Sequence, residues 1–146
     1  MSPLARRIDQ LLSTQLQGVL ATQYHTEPYT SLMAFAHTTD LRYLLLATYR
    51  ESRKHANLLL NAQVSVLIDN RTNTAADYDT AVAISVAGHA ESIAPAELPA
   101  LQACYLAKHP LLVGFVSAAD CALLRVKVSS YRVISQFQAL EIWTPD

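Results

Sequence analysis

"LRYLLLATYRESRKHANLLLNAQVSVLID", residues 41–69, decides how the chain is read. Its two ends are strand-like, over 42–48 and 63–69, and between them TYRESRKHANLLLN (48–61) has the length and apolar spacing of a helix. Thr48 is the expected cap of that helix and Asn61 its expected end. Yet its first turns hold Arg50, Arg53, Lys54 and His55. Backbone N–H groups at a helix N-terminus already carry roughly half a positive charge, so cations there are unfavourable on their own. An anion resolves the conflict: helix amides with Arg and Lys side chains make a phosphate site, and the phosphate offsets the adverse dipole. The competing reading is a solvated basic turn answered by Glu27, Glu51 or nearby aspartates. Charge pattern alone leaves both open.

Outward from this stretch the pattern is mostly β. Residues 3–14 read as a short amphipathic helix with Leu4, Ile8, Leu11 and Leu12 on one stripe. GVLATQ (18–23) and YTSLMAFAH (29–37) are strand-like and set off by polar turns. In QVSVLID (63–69), Val64, Val66 and Ile68 share a face. Residues 70–80 are polar and read as a loop. Over 81–93, Val82, Ile84 and Val86 alternate with small residues, as in a curved sheet that something approaches closely. A second helix is expected near 96–108, with Pro99 in its first turn and Pro110 as its stop. In ALLRVKVSSYRVISQF (122–137), Leu124, Val126 and Val128 lie on one parity and Tyr131, Val133 and Phe137 on the other. That shift at Ser129–Ser130 predicts a bulge or corner. About six strands with few helices predict a small antiparallel barrel, mainly β with flanking helices (α+β), in one domain over residues 1–146.

Composition narrows the function. With 51% hydrophobic and 16% charged residues, the chain has material for a core and is no disordered tail. A net charge of −1 offers no global field for nucleic acid or an anionic membrane, so any anion must be held locally. Two cysteines, Cys104 and Cys121, have no CxxC spacing. A reduced, cytoplasmic protein is expected, without a signal peptide or membrane span. The glycines are Gly18, Gly88 and Gly114, too scattered for a GxGxxG turn or a P-loop.

The succession TSLMAFAH … LRYLLLATYRESRKHANLLLNAQVSVLID resembles the pyridoxamine 5′-phosphate oxidase-like family, the FMN-binding split barrels, most clearly over residues 17–69. The resemblance implies a six-stranded antiparallel Greek-key split β-barrel, a homodimer with FMN at the subunit interface, and a small-molecule substrate. Carried over by position, Ser31, Leu32, Met33 and Ala34 would lie along the isoalloxazine, mostly through backbone groups. Ala47 and Thr48 would sit at the ribityl or phosphate end, and Ser52, Arg53 and Lys54 would hold the phosphate. Thr48-x-x-Glu51 also fits a capping box, so a structural role for Thr48 stands beside the binding one. Asn57 and Asn61 match the family pattern and equally suit packing and helix-end roles. Pyridoxamine phosphate oxidase has a substrate-gripping Arg-x-His element near its C-terminus. Here neither Arg nor His follows Arg132, so vitamin B6 oxidation is not expected.

The remaining polar residues give less. The five histidines form no HxxxH or HExxH spacing, and no metal site is expected. His37 follows the flavin strand and is either a proton donor or an ordinary loop histidine. Trp143, the single tryptophan, is either a contact at the flavin edge or a core or interface anchor. Three functions follow. The first is an FMN-dependent oxidoreductase fed by a small molecule or a nicotinamide or deazaflavin donor; the flavin would carry the chemistry, so few catalytic side chains are needed. The second is a non-catalytic flavin- or haem-binding carrier or sensor, and the third a phosphate-binding protein without flavin.

Overall fold

The computed structural model describes residues 1–135 and 139–146. Three antiparallel strands come first: β1 (Gln17–Tyr24), β2 (Glu27–His37) and β3 (Tyr43–Tyr49). β4 (Gln63–Asp69) then returns to lie beside β1, giving the order β3-β2-β1-β4 of a Greek key. β5 (Ala83–Ser92) and β6 (Cys121–Ser135) extend the sheet, and pairing of β6 with β3 closes six strands into a barrel. β7 (Ala139–Trp143) continues the sheet beyond β6. Sequence reasoning passed over β7, whose ALEIW run is too short to show a period. Phe137, expected at the end of the last long strand, falls outside the described residues.

Strand alternation fills the barrel. Leu20, Met33, Phe35, Leu44, Leu46, Val66, Ile68, Ile84, Val86 and Val126 point inward and are buried. The helix α1 (Pro3–Thr14) packs Ala5, Ile8, Leu11 and Leu12 into the same core, and Ser2 caps it by accepting the Ala5 N–H at 3.1 Å. The parity shift in β6 is real. Ala87 pairs with Ser130 while Gly88 pairs with Val128, so Ser129 is the extra residue of a bulge. Gly88 is required there, because a Cβ would run into the Lys127 carbonyl. Beyond the bulge Tyr131 turns inward, is fully buried, and donates its hydroxyl to the Leu41 carbonyl at 2.8 Å.

A second, smaller core lies outside the barrel. The helix α2 (Arg53–Leu60) follows β3, and the stretch expected as loop ends in one helical turn, α3 (Asp77–Thr80). Asp77 organises that turn by accepting the Thr72 and Asn73 N–H groups. The helix α4 (Leu98–Lys108), a 3-10 turn over Pro110–Leu112 and the short α5 (Val113–Val116) cover the outer faces of β2, β3 and β6. Tyr105, Val116 and Cys121 pack there with Ala36, Leu45 and Ala47. Among the described residues no helix is long and apolar enough to cross a membrane.

Candidate functional site

The charged helix start assembles differently in detail from its sequence reading. Thr48 is not the cap: it is the penultimate residue of β3, is buried, and stands inside the strand ladder opposite Ala122. The chain turns through Arg50–Ser52, and Ser52 caps α2 by accepting the His55 N–H at 3.2 Å. The Thr48 hydroxyl meets the Ser52 hydroxyl at 2.9 Å, so the strand end fixes the cap. Three residues, Tyr49, Arg50 and Glu51, make the turn between the two, and Glu51 falls where a capping box led by Thr48 would place its acid, so the sequence imitates that motif.

No carboxylate among the described residues pairs with the cations at this head. Among the described residues the ion pairs are Arg7–Glu141, His37–Asp9, Arg71–Asp69 and Arg125 with Glu91 and Glu97, and none includes Arg50, Arg53 or Lys54. The Arg53 guanidinium instead stacks on Tyr24, 4.5 Å from the ring centroid, with Tyr29 at 6.0 Å. Stacking engages the face of the guanidinium and leaves its in-plane N–H donors free for an anion. The two tyrosines went unread in the sequence, though the YHTEPY turn between β1 and β2 holds them both.

Further along α2 two polar atoms are orphaned. Asn57 is fully buried and donates to the Thr22 hydroxyl at 3.1 Å, but its Oδ1 has no partner. His55 Nδ1 is likewise sealed and unpartnered. Among the described residues these are the buried side-chain polar atoms left without a hydrogen bond, and both belong to α2. Asn61 serves as the helix end, tied to Gln23 Oε1 at 2.9 Å and to the Gln63 N–H at 3.0 Å.

The β2 residues divide by parity. Met33 points into the barrel and is buried, so only its backbone can face a ligand, while Leu32 on the outside is 67% exposed. Ser31 and Ala34 are half-buried. Leu32 and Ala34 border a cleft of about 990 Å3 whose far wall is Lys108, His109 and Leu111. Ala47 is buried under α4 and α5. Round the closed barrel Trp143, on β7, is separated from β2 by β6 and β3, and its ring packs on Tyr131 at 5.7 Å. Within one chain it is a packing residue.

The wall of the large cleft was read in the sequence only as a helix end. His109 is buried, with Nε2 at 2.7 Å from the Phe35 carbonyl. Lys108 donates to the Leu12 carbonyl at 2.7 Å and lies over the Phe35 ring at 3.8 Å. Burial lowers its pKa to about 8, with Cys104 acting weakly the other way. His37 is held by Asp9 at 2.8 Å, which marks it as a tether between β2 and α1.

A closed six-stranded antiparallel barrel with an added strand and flanking helices is the architecture of split-barrel proteins. Residues 4–140 match the sequence profile of the family described as pyridoxamine 5′-phosphate oxidase, and the chain belongs to that family. No curated protein sequence matches it. Solved structures share the fold at low identity. A heme-binding protein from Mycobacterium smegmatis aligns with TM-score 0.87 and 17% identity, covering 99% of this chain and 59% of that one. A protein of unknown function from Agrobacterium tumefaciens aligns with TM-score 0.77 and 22% identity over the same shares, 99% and 59%. The chain thus spans 59% of the length of each. A FAD-binding protein from Mesorhizobium loti aligns with TM-score 0.70 and 15% identity, covering 91% of this chain and 94% of that one.

Proposed function

We propose that the protein binds FMN and acts as an oxidoreductase on a small molecule, or with a nicotinamide or deazaflavin donor. The observation that carries this is the head of α2, where Arg50, Arg53 and Lys54 have no carboxylate partner among the described residues while Thr48 and Ser52 hold the cap in place. The residues fit a phosphate-bearing cofactor. Arg53, stacked by Tyr24 and Tyr29, and Lys54 would hold the phosphate. The outer edge of β2 at Leu32 and Ala34 would face the ring system, whose reaction is hydride transfer when the flavin is bound.

A second copy of the chain would complete the site. The outward residues Leu32, Val19, Leu67, Ser85, Arg132 and Ile142 are successive cross-strand neighbours and form one row across the barrel. Leu32, Leu67 and Ile142 in that row are exposed, at 67%, 41% and 54%. Isologous pairing of two such faces buries the row against itself and shields the β2 edge from water. The function is tested by purifying the protein, denaturing it and identifying the chromophore released. FMN supports the reading. Released haem would move it to the carrier function, which the heme-binding neighbour suggests. A colourless protein that does not take up FMN would end it.

A further inference from the structure

The head of α2 has two sides. Positions two apart on a helix point about 200° apart around its axis. Arg53 therefore reaches toward Tyr24 and Tyr29, while His55 turns the other way, into a separate cleft of about 220 Å3. Arg50 opens onto that cleft from the turn before the helix, and Leu98, Val116, Leu123 and Leu124 supply apolar wall. Ser92, at the exposed end of β5, stands at its border.

We propose that this second cleft binds a small carboxylate with a short apolar tail, gripped by Arg50 and by His55 Nδ1. Three observations converge. Arg50 is exposed and in no ion pair among the described residues; its backbone N–H goes to the Asp120 carbonyl at 2.8 Å, which fixes the turn and leaves the guanidinium free. The His55 ring lines the cleft while its Nδ1 is buried without a partner, a costly state that a small turn of the imidazole towards a bound carboxylate would relieve. The charge of Arg50 is felt at the cleft floor: burial raises the Cys121 thiol, Asp120 adds to the rise, and Arg50 draws it back. A guanidinium fork matches a carboxylate in two parallel bonds, and the leucine and valine walls take an alkyl tail. A doubly charged phosphate would lose its solvation against the same walls with fewer donors to replace it. This site is distinct from the one assigned to FMN, and its failure would leave the flavin reading standing.

The test is calorimetric titration of the full chain with sodium hexanoate, alongside 15N NMR of the His55 ring. Saturable binding is expected, with a shift of the Nδ1 resonance. Arg50→Ala should weaken hexanoate about tenfold or more, the loss of a charged hydrogen bond. Ser92→Phe, a substitution at an exposed strand end, should block the cleft. Arg53→Ala should leave hexanoate binding unchanged, as should added FMN. The proposal is overturned by the absence of saturable hexanoate binding, by unchanged affinity in Arg50→Ala, by displacement of hexanoate on adding FMN, or by binding of inorganic phosphate in its place.

Discussion

The barrel interior and the head of α2 begin from the same strand, since β3 sends Leu44 and Leu46 into the core and carries near its end the Thr48 that fixes the cap. They treat polar groups in opposite ways. Inside the barrel, the Tyr131 hydroxyl is buried only together with its acceptor at Leu41. At the helix, among the described residues, Arg50, Arg53 and Lys54 stand in no ion pair, and His55 Nδ1 and Asn57 Oδ1 are buried without partners. A sealed core tolerates almost no unmatched polar atom, so the mismatch gathered on one short helix is what the proposed phosphate-bearing ligand would answer.

That contrast can be broken at either end. In the core, Phe35→Ala removes a fully buried ring and should cost about 3–5 kcal/mol in urea unfolding, with little left to distinguish FMN affinity per folded molecule. Tyr131→Phe should cost about 1–3 kcal/mol, because the Leu41 carbonyl keeps its burial and loses its donor. On the outer face, Leu32→Ser should change stability by no more than about 0.5 kcal/mol in the monomer while shifting the species seen by light scattering from dimer to monomer. The contrast also has a pH dependence, at Lys108. Its folded pKa is about 8 against an ordinary 10.5, so the folded state binds fewer protons than the unfolded between those values. Stability from this group therefore rises with pH across that window. Wild type should gain on Lys108→Met from pH 8 towards 10.5, and a constant difference between the two would remove Lys108 from the account.

How much of this was legible depended on whether a feature was local. The alternation of Val64, Val66 and Ile68, and the parity change at Ser129–Ser130, are properties of adjacent residues, and they marked the strands and the bulge. The cap was misplaced because Thr48 and Ser52 both suit one; only the pairing of β3 with β6 shows that Thr48 is still strand. Arg53 and Lys54 could be read from charge at a helix start. Tyr24 and Tyr29 could not, since what stacks on Arg53 is decided by the β1–β2 hairpin folding over α2. Lys108 and His109 were legible as the helix end they are, but not as a cleft wall, because that cleft is formed with α1 and β2, far away in sequence. Trp143 depended on a strand too short to announce itself.

The central claim is that the unpaired cations at the head of α2 recognise a phosphate. It is tested most directly by the affinities of FMN and riboflavin, measured by quenching of flavin fluorescence in wild type, Arg53→Ala and Lys54→Ala. Charged hydrogen bonds of ~1.5–3 kcal/mol each predict that either substitution weakens FMN about 10–100-fold and leaves riboflavin nearly unchanged. Equal binding of FMN and riboflavin by the wild-type protein would contradict it.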